Sequence, residues 1–262
     1  MNRTGLIAAL LIAAVVGLVF GLYPELDLWL AGQFFDPVRN MFVPRTWIRY
    51  TRDASMWLIT GMVLVPAIAL LIKLVLPRTR LLVSGRAIIF LIATMAIGPG
   101  LLVNVALKEN WSRSRPIDVP QFGGEERFVA WWDTSGNCAR NCSFVTGDGS
   151  GAFWTLAPAS LAPPAWRPIA YGAALTFGAG IGVMRMSFGG HFFTDVVFAG
   201  VFTFLVIWLI HGLLYRWPVS RITDEAVERA IERVALPAHD AIRGLFGVRT
   251  PPSSERTGSE RT

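Results

Sequence analysis

The chain has 262 residues, of which 53% are hydrophobic and only 16% charged, and its mean hydropathy is +0.49. A soluble domain of this size carries roughly a quarter charged residues, so the composition excludes a soluble globular protein and points to an integral membrane one. The net charge of +6 sits on no separate basic domain, which argues for contact with anionic lipid headgroups rather than with nucleic acid.

A spanning helix needs about 20 mostly apolar residues, and the candidates in chain order are 5–22, 56–76, 87–107, 149–164, 168–184 and 193–214. The first follows a basic start, "MNR". Its apolar run is long for a cleaved signal and lacks a clear small-residue cleavage site, so it reads as an anchor. The fourth is short, and Pro158, Pro163 and Pro164 interrupt or end it. Prolines are tolerated in a bundle because neighbouring helices satisfy the freed carbonyls. The expected core is an all-α, six-helix transmembrane bundle over residues 1–215.

The short connection "KLVLPRTRLLVSGR" carries Lys73, Arg78, Arg80 and Arg86, the pattern of a cytoplasmic loop. Arg45, Arg49 and Arg52 gather on the other side, so the charge count by itself is not decisive. With both termini inside, loops 23–55, 108–148 and 185–192 face outward, and their cations call for a functional explanation. Cys138 and Cys142 lie in the outward "CARNC", where an oxidising compartment permits a small disulfide loop; two free thiols are the alternative. No histidine stands near them, which argues against zinc, and no cluster has metal-ligand spacing.

Past the sixth span, residues 216–248 change character. Thr223 is a candidate N-cap with Asp224 and Glu225 in the first turn, and Ala226, Ala230, Ile231 and Val234 form an apolar stripe flanked by Arg229 and Arg233. This reads as an amphipathic helix on the inner leaflet, with a solvated tail as the alternative. Residues 249–262 are polar and are expected to be disordered.

Three outward clusters each border an apolar span. In "KENWSRSRP", residues 108–116, Lys108 and Arg115 stand seven apart, close to two helical turns, so both side chains reach the same way. Pro116 biases Arg115 out of the helix. In "CSFVTGDGSGAF", residues 142–153, Thr146, Gly147 and Asp148 open a small polar run whose N–H groups suit an anion. In "RMSFGGHFFTD", residues 185–195, His191 and Asp195 stand four apart at a span edge, where a carboxylate can accept the imidazole N–H and fix its tautomer. Ionisable groups at such depth point to function. Three cations, a glycine-rich turn and a His–Asp pair on one membrane face suggest a phosphoester site.

These residues resemble the type 2 phosphatidic acid phosphatases. "KENWSRSRP" fits that family's Lys-x6-Arg-Pro motif, and Arg185 through Asp195 fits its Arg-x5-His-x3-Asp motif. The resemblance covers about residues 1–215 and implies a metal-independent phosphatase with no cofactor and a phosphohistidine intermediate. It makes His191 the nucleophile, Asp195 its orienting partner, and Lys108, Arg115 and Arg185 the phosphate ligands, joined by Thr146 and Gly147. Arg113 falls outside the motif and is expected to matter little.

The middle motif departs from the family: its usual Pro-Ser-Gly-His reads Val145-Thr146-Gly147-Asp148, so the expected leaving-group acid is an aspartate. Met184 replaces a usual serine, a minor change. An aspartate titrates near 3.9, and cations push it lower, which makes it a poor donor at neutral pH. That favours good leaving groups: lipid A 1-phosphate or a polyprenyl diphosphate over phosphatidylglycerophosphate or phosphatidic acid. The reading is a lipid phosphatase of a bacterial inner membrane with its site facing the periplasm. The alternatives are a phosphotransferase using the same intermediate and an inactive lipid-binding or transport protein.

Overall fold

A computed structural model of the chain describes residues 2–43, 45–77, 79, 81, 83–217 and 222–245. In chain order these form α1 (Arg3–Leu22), α2 (Glu25–Gly32), β1 (Phe35–Asp36), β2 (Met41–Phe42), α3 (Arg45–Val75) and α4 (Gly85–Asn110). There follow α5 (Gly147–Phe153), α6 (Leu156–Ser160), α7 (Arg167–Ser187), α8 (Phe193–Arg216) and α9 (Asp224–Leu245). The two strands are a minimal antiparallel ribbon, Phe35 opposite Phe42 and Asp36 opposite Met41, which presents both rings to Phe122. Among the described residues five helices, α1, α3, α4, α7 and α8, are long and apolar enough to cross a membrane. Leu11, Leu18 and Val65 lie more than half exposed on their surfaces, as a lipid-facing bundle requires.

The expected fourth span is not one helix. Residues 147–160 form α5 and α6, broken around Trp154 and Thr155 and almost wholly buried inside the bundle. Pro158 has no N–H to return to the Trp154 carbonyl, and the Ala157 N–H takes that carbonyl instead at 2.8 Å. Protein rather than lipid surrounds the break, so its polar groups find partners: Trp154 Nε1 donates to Thr94 Oγ1 at 2.9 Å, and the Ser150 and Thr203 hydroxyls meet at 2.7 Å. Close approach of α7 depends on Gly178, where a β-carbon would stand 2.2 Å from the Phe153 ring.

A second irregularity re-aims α4. "GPG" at 98–100 removes a backbone donor at Pro99, and from Ala96 to Leu107 the helix widens to π geometry. Within it Asn104 Nδ2 donates to the Pro99 carbonyl at 2.8 Å. The widened stretch hands over directly to Lys108.

α9 begins where expected, with Thr223 Oγ1 accepting from Ala226 N at 3.1 Å. Its inward face differs from the expected stripe: Val234 is 71% exposed whereas Ala235 is buried. Ion pairs set the rotation. Buried Lys73, at the end of α3, meets Glu228 and Glu232, and Arg86, at the start of α4, meets Asp224. The helix is thus held on the ends of α3 and α4. The expected disordered tail, 249–262, lies outside the described residues.

Candidate active site

His191 occupies the turn between α7 and α8 and is fully buried. Its Nδ1 lies 2.7 Å from the Ser143 carbonyl oxygen. A carbonyl can only accept, so Nδ1 carries the proton and Nε2 keeps its lone pair. Nε2 faces Arg185 Nη2 at 3.2 Å. Asp195, the partner expected to take the imidazole N–H, is 3.7 Å from Nδ1, beyond hydrogen-bond range, and acts through its charge. Burial pushes His191 down to about 4, with Asp195 opposing and the Arg185 and Lys108 charges reinforcing, so the ring is neutral at ordinary pH.

Asp195 is placed by other groups. Its Oδ2 accepts from the Ser143 hydroxyl and from Phe192 N, and its Oδ1 accepts from Arg113 Nη1 at 2.6 Å. Arg113 is itself fully buried. It also donates to Thr194 Oγ1 at 2.8 Å and to Asp27 Oδ2 at 2.8 Å, and its guanidinium lies over the Phe192 ring. Asp27, from α2, accepts further from the backbone and hydroxyl of Thr194. Burial pushes the Asp27 carboxyl above its ordinary value, Arg113 opposing and the Asp195 charge adding. Arg113, expected to be a bystander, is therefore the hub of the network behind His191.

Of the predicted phosphate ligands, Lys108 and Arg115 converge on one residue that the motif does not contain. Lys108 Nζ donates to Asn141 Oδ1 at 3.0 Å, and Arg115 Nη2 donates to the Asn141 carbonyl at 2.7 Å. Arg115 is extended ahead of Pro116, as expected. Asn141 has a φ of 52°, a left-handed conformation that Asn tolerates better than most residues. It sits inside the ring closed by the Cys138–Cys142 disulfide, which settles the choice between disulfide and thiols. The disulfide loop thus acts as a clamp on two of the site's cations.

Thr146 caps α5, its Oγ1 accepting from Gly149 N at 3.2 Å. A β-carbon on Gly147 would stand 2.7 Å from Asn104 Oδ1, which would have to shift, and would be in ordinary contact with the Lys108 tip. Asp148 Oδ2 accepts from Arg52 Nε at 2.8 Å and stands 3.3 Å from Arg185 Nη1. Burial pushes the Asp148 carboxyl up, but the Arg52 hydrogen bond and the charges of Arg185 and Arg52 outweigh it, so the group stays below its ordinary value and ionised. The guanidiniums of Arg52, Arg115 and Arg185, the Lys108 ammonium, the neutral His191 imidazole and the ionised Asp148 carboxylate are therefore gathered at one end of the bundle.

A family model described as "PAP2 superfamily" matches residues 86–218, about half of the chain. The chain belongs to the PAP2 superfamily. It is similar to a "Lipid A 4'-phosphatase" of Francisella tularensis subsp. novicida (strain U112), 34% identical over 219 residues that cover 82% of this chain and 98% of the relative. Proteins of the same description from Rhizobium leguminosarum and Rhizobium etli are 42% and 40% identical. Those alignments cover 40% of this chain and less than half of each relative, at 46% and 41%. No solved structure matches. As a PAP2 member with lipid A phosphatase relatives and five membrane-length helices, the protein is a membrane lipid phosphatase.

Within this PAP2 site the structure brings all eight expected residues to one end of the bundle. Sequence reasoning missed Asp27, Arg52, Asn141 and Ser143 and misjudged Arg113. Asp27 and Arg52 precede the matched region. A carboxylate between leucines in α2 and a cation at the start of a span were the available signals, since charge at membrane depth needs a partner.

Proposed function

We propose that the protein removes the 4′-phosphate of lipid A through a phosphorylated histidine. The activity named for the Francisella relative, aligned over 98% of its length, supports the substrate. The mechanism rests on one observation: Nδ1 of His191 is tied to a carbonyl while Nε2 faces Arg185, so the lone pair is aimed at the cations that would hold phosphate.

A 4′-phosphate leaves as an ordinary sugar alkoxide, so this substrate displaces the earlier preference for an anomeric phosphate or a diphosphate. The leaving oxygen needs a proton, and ionised Asp148 has none to give. We assign that role to the Lys108 ammonium, which borders Gly147. In this scheme Nε2 attacks phosphorus, the P–O bond to the sugar breaks, and Lys108 protonates the sugar oxygen. Water then attacks phosphorus, Asp148 takes its proton, the P–N bond breaks and inorganic phosphate departs; proton exchange with solvent then returns Asp148 to the carboxylate and Lys108 to the ammonium. Lys108, Arg115 and Arg185, with Thr146 and Gly147, bind the phosphoryl oxygens. The disulfide supports a site on the oxidising, periplasmic side of a bacterial inner membrane, and Lys73 and Arg86 at the opposite end support a cytoplasmic placement there.

Incubation of the purified protein with bis-phosphorylated lipid A tests the assignment. Inorganic phosphate and a product that keeps its 1-phosphate are expected by mass spectrometry. Loss of the 1-phosphate instead would overturn the regiochemistry, and transfer to a second lipid without free phosphate would make the enzyme a transferase.

A further inference from the structure

A built cavity lies at the other end of the molecule, where α1 starts and α8 ends. At about 1.5 Å per residue, the length of α8, Phe193–Arg216, places it roughly 35 Å from His191. The cavity measures about 710 Å³, within the range of ligand sites. Arg3 and Arg216 line it with the indoles of Trp208 and Trp217 and the aliphatic side chains of Leu6 and Ile7; among the described residues no carboxylate lines it.

Its walls are fastened across the length of the sequence. Trp208 Nε1 donates to the Asn2 carbonyl at 3.2 Å, and the Asn2 side chain caps α1 by accepting from Gly5 N at 3.0 Å. Trp208 and Trp217 meet edge to face at 5.7 Å, and the Arg216 guanidinium stacks 4.1 Å over Trp208 and 5.5 Å from Trp217. One guanidinium on an indole wall and a second lining the same cavity, at the level where spanning helices end, combine the two features by which membrane proteins hold acidic headgroups: aromatic anchoring at the interface and local positive charge.

We propose that this cavity binds one acidic phospholipid of the adjoining leaflet, its phosphate between Arg3 and Arg216 and its glycerol-ester region against Leu6 and Ile7. The lipid would brace α1, a helix with only 11% of its span buried, against α8. Arg3 and Arg216 stand apart from the catalytic machinery, so hydrolysis by their variants serves as the folding check.

Native mass spectrometry of the detergent-purified protein, titrated with dioleoyl phosphatidylglycerol, dioleoyl phosphatidylcholine or inorganic phosphate, tests this. The expected results are a one-to-one phosphatidylglycerol adduct, at least tenfold weaker phosphatidylcholine binding, and no displacement by inorganic phosphate. The double variant Arg3→Gln/Arg216→Gln should lose the adduct at least tenfold, whereas Arg229→Gln/Arg233→Gln, on the exposed side of α9, should keep it. If the first variant does not fold, Leu6→Trp, which fills the cavity without changing charge, should lose the adduct. Equal binding of both phospholipids, equal loss in the α9 variant, an unaffected Leu6→Trp, or displacement by phosphate would each overturn the proposal.

Discussion

Behind the imidazole, Asp27, Arg113 and Asp195 are at most 1% exposed and close on one another; in front of it, Arg52, Asp148 and Arg185 form a second set with side-chain exposures of 44%, 16% and 11%. The formal charges run opposite ways. The rear set places two carboxylates on one guanidinium, a net −1, and the front set places two guanidiniums on one carboxylate, a net +1. In the proposed mechanism a rear anion would favour the positive charge on the ring once Nε2 bonds to phosphorus, and a front cation would favour the arriving phosphate. In that mechanism the fully buried Asp195 would orient the ring, while the partly exposed Asp148 would stand where water can reach it.

Breaking the rear set should cost most. Arg113→Ala leaves two buried carboxylates facing each other, and losing one partner of a buried pair costs about 3–5 kcal/mol of stability. Activity of any folded fraction should fall on the order of 10³- to 10⁴-fold, the scale of a lost orienting group behind a catalytic histidine. Arg113→Lys should recover only part, because an ammonium cannot serve Asp27, Thr194 and Asp195 together. Retention of a tenth of wild-type turnover by Arg113→Ala would sink the idea of a rear frame.

On the front side, alanine at Arg185, or at either Lys108 or Arg115 on Asn141, should lower turnover by about 10²- to 10³-fold, the cost of one transition-state donor, while thermal unfolding barely moves. Unfolding shifts as large as that of Arg113→Ala would erase the distinction between the two sets. Opening the disulfide with Cys138→Ser/Cys142→Ser should act through Asn141. A small displacement of both Lys108 and Arg115 is expected to cost between about 10- and 100-fold. Unchanged kinetics would show that the loop does not hold the cations.

The neutral ring supplies the mildest effect. The unfolded chain protonates a histidine near 6.5, whereas buried His191 does so only at about 4. Between those values the unfolded state binds more protons, so stability should fall as pH drops from 6.5 towards 4 and should not change on this account above 6.5. Nitrogen-15 shifts of the ring at pH 6 should report a proton on Nδ1 and none on Nε2. A protonated Nε2 at that pH would remove the basis for nucleophilic attack.

The two motifs that carry the family resemblance were legible because their spacing is local: Lys108 to Pro116 and Arg185 to Asp195 each hold it within one helix end or one turn. Arg113 was misjudged because its importance comes from Asp27, 86 residues away, and no periodicity reports such a pairing. The His191 acceptor was missed because it is a backbone carbonyl, which every residue has. The fourth span was drawn as one helix because hydropathy registers the apolar run of 149–164 but not where Pro158 breaks its hydrogen bonding. The stripe of α9 was rotated by Lys73, whose burial only the partner glutamates allow.

The level of phosphorylated enzyme during turnover tests the division between the two sets most directly. With phosphorus-32-labelled substrate and an alkaline quench, wild type should show a small, acid-labile, alkali-stable phosphate on residue 191. Arg113→Ala should show almost none, because the intermediate does not form. Asp148→Asn should accumulate it, because the carboxylate that activates water is gone while the nucleophile and its rear frame are intact. Label on another residue, or an Asp148→Asn enzyme that turns over slowly without accumulating phosphohistidine, would contradict the account.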